Sequence, residues 1–169
     1  MINELLNRRG LLMSSGSAID WETIAKGMID GTTQFTIDEA AAEAITATNI
    51  GMRFFYYRTN LIGDVILPPT LTQITGAEVF FGCTNVHSIT VGENVTTIRN
   101  DVFRGMGNNM KALIINRVTP PTLTGTNAFL STDACIVYVP DSAVNDYKTA
   151  NYWDAYASRI KGISELPTT

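Results

Sequence analysis

Apolar residues recur along this chain in short pairs, each enclosing one position whose side chain points the other way in a strand. Consecutive pairs begin 24 residues apart, at positions 65, 89, 113 and 137: Val65-x-Leu67, Ile89-x-Val91, Leu113-x-Ile115 and Val137-x-Val139. A fixed period of this size is typical of a solenoid, in which each repeat buries its apolar face against its neighbours. We therefore predict a short strand at each pair, stacked in register on the next. Since a stack of coils presents an extended surface, the pattern favours a binding or assembly protein.

Further apolar columns repeat at nearly the same interval. Phe80 and Phe103 are 23 residues apart, because the first of these units has one extra residue near Gly76, and Phe129 continues the aromatic column. Upstream, the run 53–61 parallels the run 78–86, and an earlier pair at Phe35-x-Ile37 resembles another ladder pair. The aliphatic matches at an interval of 24 are Leu71 with Val95, Ile74 with Ile98, and Val86 with Met110.

The order of these columns resembles BspA-like leucine-rich repeats. The segments that carry the resemblance are ILPPTLTQITGAEVFFGCTNVHSITV and ITVGENVTTIRNDVFRGM, and it covers about residues 50–140. The chain departs from the family pattern at 106–109, where the Cys-Thr step is lost, and at Pro120-Pro121, where the coil is remodelled. The resemblance implies a mainly β solenoid of about four to five coils with a C-terminal closure, and the residues on either side predict a helical N-terminal arm and a helical C-terminal cap. We assign the arm to 1–31, the coils to 32–139 and the cap to 140–169.

The C-terminal segment is predicted to close the stack, since a solenoid needs polar caps against end-to-end association. Asp141 or Ser142 is suited to N-cap a short helix that ends near Ala150. A second helical turn then places an apolar face on the last coil, and this covering role is favoured over stacking on a ligand. The residues of that face are Trp153, Tyr156, Ala157 and Ile160.

The N-terminal segment differs from the coils. Asp20 is suited to cap a helix over 21–30, and Gly31 is suited to end it. This helix either covers the first coil or docks on a partner, and the sequence leaves both open. The candidate anchoring residues have no obvious place in the stack and suggest an intermolecular contact: Ile2, Leu5, Leu6, Leu11, Leu12 and Trp21.

Composition and charge narrow the class of partner. The 169 residues include 17% charged residues and have a net charge of −4, with no basic cluster that would bind nucleic acid. The first 16 residues do not resemble a signal peptide, and no apolar run approaches the roughly 18 residues of a membrane helix. We expect no membrane insertion, and a chain that stays in the cytoplasm unless something larger carries it out.

Candidate chemistry is sparse. Cys83 and Cys135 occupy different columns two coils apart, which predicts two unpaired, buried thiols instead of a disulfide. His87 is the sole histidine and is expected in a turn, so no metal site is predicted. The sequence contains no nucleophile elbow, phosphate-binding loop or zinc-protease motif. We expect no enzyme activity, no catalytic residue and no cofactor.

The outward face of the ladder is the predicted partner-binding surface. The positions between the inward pairs are Ile66, Thr90, Ile114 and Tyr138, and the neighbouring outward column ends at Ile136. Large apolar groups at equal spacing make an exposed stripe of the kind that marks contact surfaces. The alternative is that the N- or C-terminal segment folds across this face.

Two functional hypotheses follow, both with protein partners. In the first, the arm leading into repeat coils resembles short repeat proteins of tailed phages. The chain is then a virion-associated structural or attachment protein, assembled as a homo-oligomer or within a larger particle. In the second, the chain is a bacterial cell-surface adhesion module that binds host proteins or glycans, as the family resemblance implies for many secreted members. An intracellular scaffold is a third possibility.

Overall fold

A computed structural model describes residues 48–59, 61–67 and 71–167. The predicted helix at 21–30, the pair Phe35-x-Ile37 and the anchoring residues Ile2, Leu5, Leu6, Leu11, Leu12 and Trp21 lie outside these ranges. The boundaries of the arm, the coils and the cap therefore stay predictions.

Within the described ranges, eight strands form two parallel sheets. The larger sheet contains, in spatial order, β1 (Gly63–Ile66), β3 (Val86–Val91), β5 (Ala112–Ile115), β7 (Ile136–Val139) and β8 (Ile160–Gly162). The smaller contains β2 (Gln73–Ile74), β4 (Thr97–Ile98) and β6 (Thr122–Leu123), and Asn49 bridges to Gln73 beside it. From β1 to β7, successive strands alternate between the sheets, so equivalent strands of successive coils pair side by side. This solenoid-like arrangement agrees with the predicted fold class.

The inward pairs are direct neighbours, as the period predicts. Val65 pairs with Ile89, Ile89 with Leu113, and Leu113 with Val137. The ladder continues one strand further, because Ile160 of β8 pairs with Val137. The prediction that Ile160 lies on a helical face is therefore wrong. The preceding 3-10 helix ends at Arg159, and Ile160 is extended, so that it adds a fifth rung to the buried ladder.

A second ladder, of aromatic rings, fills the core beside the turns. The rings of Phe55, Phe80, Phe103 and Phe129 are stacked nearly parallel, with centroids 5.2, 5.9 and 5.5 Å apart along the column. All four side chains are buried. Such ring pairs contribute roughly 0.5–1.5 kcal/mol beyond the burial of their apolar area. The predicted aromatic column is therefore present, and the extra residue near Gly76 does not interrupt it.

The C-terminal segment contains the predicted short helix that ends near Ala150, but it also contains 3-10 turns and a strand that the predicted helical cap lacks. Its elements are a 3-10 helix (Asp141–Ala143), α1 (Val144–Thr149), a 3-10 helix (Asp154–Arg159), β8 and a 3-10 helix (Ile163–Glu165). Neither Asp141 nor Ser142 caps a helix with its side chain. Asp141 Oδ1 instead accepts a hydrogen bond of 2.6 Å from Ser164 Oγ, which ties the start of this segment to its end.

Side chains of this segment donate hydrogen bonds to backbone carbonyl groups of the last coil. Trp153 Nε1 donates to the carbonyl of Pro121 at 2.7 Å, and Tyr147 Oη donates to the carbonyl of Arg117 at 2.7 Å. Further along, Tyr156 Oη donates to Thr126 O, and Arg159 Nη1 donates to Thr132 O at 2.8 Å. Within the stack, the next coil supplies such donors; for example, the Thr96 amide donates to Thr72 O. The aromatic cap thus replaces a missing coil.

Replacing Trp153 by Phe tests this role. The ring still fills much of the buried space, but Pro121 O loses its donor, and leaving a buried acceptor unpaired costs about 1–3 kcal/mol. We expect the free energy of unfolding, measured by urea denaturation with far-UV circular dichroism, to fall by about that amount. The control is Tyr152→Phe, at an exposed neighbour, which should change stability by less than about 0.5 kcal/mol. Equal effects of the two substitutions would contradict the cap model.

Candidate binding surface

The predicted sheet face is only partly open. By register, Ile66, Thr90, Ile114 and Tyr138 lie side by side across β1, β3, β5 and β7. Ile66 is 50% exposed, Thr90 and Ile114 are half-buried, and Tyr138 is only 6% exposed. Contacts between β7 and the 3-10 helix at 163–165 place the C-terminal segment beside this end of the face. The expectation of an exposed Tyr138 is therefore wrong, since a segment distant in sequence packs against its strand.

The neighbouring outward column is mixed in character. Ser88 Oγ donates a hydrogen bond of 2.7 Å to Asp64 Oδ1, while Ala112 is buried and Ile136 is half-buried. This face therefore lacks a continuous apolar stripe. Partner binding through Ile66, Thr90, Ile114 and Ile136 stays a prediction.

Exposed apolar side chains are concentrated in the first described coil. Seven large hydrophobic residues are exposed in the described part of the chain, and four of them fall within 52–66. These four are Met52 at 67%, Tyr57 at 58%, Ile62 and Ile66. Because exposing large apolar groups is unfavourable in water, such a concentration is a candidate contact surface.

An ordered row of rings and guanidinium groups lies on the turns beside this cluster. We call it the aromatic–arginine ridge, and it consists of Arg53, Tyr56, Tyr57, Phe81 and Arg104. Tyr56 and Phe81 stack with centroids 5.4 Å apart, Arg53 lies 4.9 Å above Tyr56, and Arg104 lies 5.9 Å from Phe81. Tyr57 meets both rings edge-on, at 4.7 and 5.4 Å. The ridge repeats, on the outside of the turns, the stacking of the phenylalanine ladder inside.

Glycine makes room for the outer rings. Tyr57 and Gly82 occupy equivalent turn positions, and both have positive φ angles, of 55° and 75°. A Cβ atom on Gly82 would lie 2.7 Å from the Tyr57 ring, and one on Gly105 would lie 2.8 Å from the Phe81 ring. Each ring therefore lies over a residue without a side chain in the next coil, which holds Tyr57 in a defined but exposed position.

Two ion pairs flank the ridge. Arg53 Nε lies 2.8 Å from Glu78 Oε2, and this hydrogen bond with its charge attraction raises the pKa of Arg53. Arg104 Nη1 lies 3.7 Å from Asp101 Oδ1, a distance beyond a hydrogen bond. Both arginine side chains are substantially exposed, at 58% and 40%. The pairs position the guanidinium groups and leave much of each group accessible to solvent.

Comparison with known proteins agrees with this architecture. The model of the BspA type leucine-rich repeat region matches residues 46–151 in six copies. The chain belongs to the BspA-type leucine-rich repeat family. No curated protein matches it. Leucine-rich repeat families are typically non-enzymatic interaction modules, so the surface of this repeat array is the place to look for function.

The repeat is more regular in space than in sequence. Asn85 Nδ2 donates to Thr59 O at 2.6 Å, and Asn109 Nδ2 donates to Thr84 O at 2.8 Å. The BspA-type coil that loses its Cys-Thr step at 106–109 thus retains the same asparagine contact between coils. At the second departure, Pro121 lies opposite Thr96 but has no N–H, and the amide of Thr122 donates to Thr96 O instead.

The sequence contains the ridge but does not make it conspicuous. The match between 53–61 and 78–86 aligns Tyr56 with Phe81 and Tyr57 with Gly82. The sequence pattern that indicates the ridge is an aromatic residue next to the buried phenylalanine column, with a glycine at the equivalent position one coil later. The 24-residue period is carried by inward strand positions, so it indicates the outward face of the strands and gives no information about the turns.

Other groups in the described ranges offer little chemistry. His87 is exposed and lies in β3, where the sequence had placed it in a turn. No three His, Cys, Asp or Glu side chains among the residues at 48–59, 61–67 and 71–167 are grouped to hold a metal. A crevice of about 160 Å³ lies between the last coil and the cap, lined partly by Pro121, Leu123 and Trp153. No helix in the described parts is long and apolar enough to cross a membrane.

The two cysteines are free and buried, which confirms their prediction. Cys83 Sγ donates to Phe55 O at 2.9 Å, so the thiol joins two coils of the BspA-type array. Burial raises the pKa of both Cys83 and Cys135 from 9.0 to about 12. Because the thiolate is the reactive form, neither group is suited to nucleophilic chemistry near neutral pH.

These pKa values predict how thiol reactivity and stability depend on pH. At pH 8.5 both thiols should react with iodoacetamide at least tenfold more slowly in the native chain than in the urea-unfolded chain. Since the folded thiols keep their protons up to about pH 12 and the unfolded thiols lose them near pH 9, the unfolding free energy should fall as pH rises between these values. Alkylation followed by mass spectrometry measures the first effect, and urea denaturation measures the second. Equal alkylation rates would contradict the burial of the thiols.

Proposed function

We propose that this BspA-type repeat chain is a non-enzymatic attachment protein whose aromatic–arginine ridge contacts a protein partner. The observation that carries the proposal is the position of Tyr57, which is 58% exposed yet packs edge-on against two rings and over a glycine. A side chain that is ordered before binding loses less conformational entropy when it is buried. Tyrosine and arginine are also the residue types that most often dominate the energy of protein interfaces.

In its finer form, the proposal places the chain in the virion of a tailed phage. Two features of the sequence support this: the arm at 1–31 carries apolar residues suited to anchoring, and the arm with its repeats resembles short phage repeat proteins. The ridge then serves attachment, while the arm joins the chain to a homo-oligomer or a larger particle. The alternative is a bacterial cell-surface adhesin, whose repeats would use the same ridge on host proteins or glycans.

Mass spectrometry of purified phage particles tests the virion role. We expect peptides of the chain to copurify with the capsid and tail proteins through a density gradient, at a constant ratio to them. If the chain is absent from particles and is found on the surface of the producing bacteria, the adhesin alternative replaces the virion role. If it is found at neither place, both finer proposals are wrong.

A substitution at Tyr57 tests the ridge. Loss of an interface anchor typically costs 2 kcal/mol or more, so Tyr57→Ala should weaken binding of the purified chain to its target cells by about thirtyfold. The matched control is Tyr152→Ala, because Tyr152 is also an exposed tyrosine with a positive φ angle but lies in the C-terminal segment. Binding is measured by flow cytometry of labelled protein across a concentration series. Equal affinities of the two variants would contradict a contact at the ridge.

A further inference from the structure

The turns that carry the ridge are rich in arginine. Residues 51–59, 76–85 and 99–109 contain Arg53, Arg58, Arg99 and Arg104 but only two carboxylates, those of Glu78 and Asp101. This local excess of two positive charges occurs in a chain whose net charge is −4. The net charge of the arginine-rich turns is therefore positive, opposite in sign to the net charge of the whole chain.

The arginines of these turns retain hydrogen-bonding capacity. A guanidinium group has five N–H donors, and the side chain of Arg53 uses its Nε on Glu78. Arg104 lies 3.7 Å from Asp101, too far for a hydrogen bond. Arg53 and Arg104 thus keep N–H donors that the neighbouring carboxylates of Glu78 and Asp101 do not accept.

The rings give these donors a fixed frame. Arg53 lies over Tyr56 and Arg104 over Phe81, the two rings of the stacked pair. A guanidinium group held against a ring keeps a defined plane and is suited to bidentate contact with a carboxylate. Met52 and Tyr57, which belong to the same turn as Arg53, present exposed apolar surface. This turn therefore combines cationic and apolar groups.

We propose that the partner segment bound by the aromatic–arginine ridge is an acidic peptide, with carboxylates on either side of an aromatic or other large apolar side chain. The carboxylates contact Arg53 and Arg104, and the apolar side chain packs on Tyr57 and Met52. This proposal rests on the proposed function, because it assigns the chemistry of the partner at the same surface.

Charge argues for a peptide over a nucleic acid or a sulfated glycan. Binding to phosphate polymers relies on many cationic contacts, and its strength falls steeply with salt. The turns that carry the ridge have an excess of only two positive charges, and the rest of the chain is acidic and repels a long polyanion. A short acidic segment with apolar side chains uses both parts of the ridge and avoids that repulsion.

A glutamate–tyrosine copolymer is the probe for this proposal, with heparin and polyglutamate as the comparison polyanions. The full chain should bind the copolymer at least tenfold more tightly than it binds polyglutamate or heparin, as measured by fluorescence anisotropy. The double substitution Arg53→Gln, Arg104→Gln should weaken copolymer binding at least tenfold, and so should Tyr57→Ala. The control Lys111→Gln, Lys161→Gln removes the same charge at two exposed lysines elsewhere and should change the affinity less than twofold.

Three results would overturn the proposal. They are equal binding of heparin and the copolymer, equal losses in the arginine and lysine double variants, and no effect of Tyr57→Ala. Circular dichroism of every variant shows whether a loss of binding reflects unfolding. Where a double variant is unstable, the single substitution Arg53→Lys at this exposed position takes its place in the binding test. If the copolymer fails to bind while Tyr57→Ala still weakens binding to target cells, the acidic partner is wrong and the proposed function stands.

Discussion

Each coil of this protein depends on its neighbour for backbone hydrogen bonds. Strands of two to six residues have little stability alone, but their backbone N–H and carbonyl groups form hydrogen bonds with those of the neighbouring coils. This requirement fixes the register, and the register in turn aligns Val65 with Ile89 and Phe55 with Phe80. The hydrophobic core is a consequence of that alignment, because identical columns bury identical positions.

The same requirement explains the C-terminal segment. A stack of finite length leaves the carbonyls of its last coil without a following coil, and an unpaired buried carbonyl is costly. Trp153, Tyr156 and Arg159 supply the donors through side chains, while β8 supplies them through backbone. Their rings also continue the phenylalanine ladder, with Trp153 and Tyr156 packing on Phe129. The residues that donate hydrogen bonds to the last coil therefore also cover its hydrophobic core.

The outside of the turns follows the same register. Because successive turns are stacked, an aromatic residue one position beyond the inner phenylalanine meets its equivalent in the next coil, as Tyr56 meets Phe81. A glycine at the following position then leaves room for an exposed ring. The aromatic–arginine ridge is a by-product of repetition at positions that the core does not constrain. Such positions are free to differ from coil to coil, and they are where a binding surface can arise.

The sequence by itself determined the ladder, the aromatic column, the free thiols and the family, since each of these depends on residues that recur at equivalent positions. It did not determine β8, the burial of Tyr138 or the exposure of Tyr57. The burial of Ile160 and Tyr138 depends on how the C-terminal segment packs on the last coil. Such contacts produce no periodic pattern in the sequence. Tyr57 is exposed because Gly82 lies beneath it in the next coil. Periodicity reports which positions share a column, whereas tertiary packing decides which columns meet solvent.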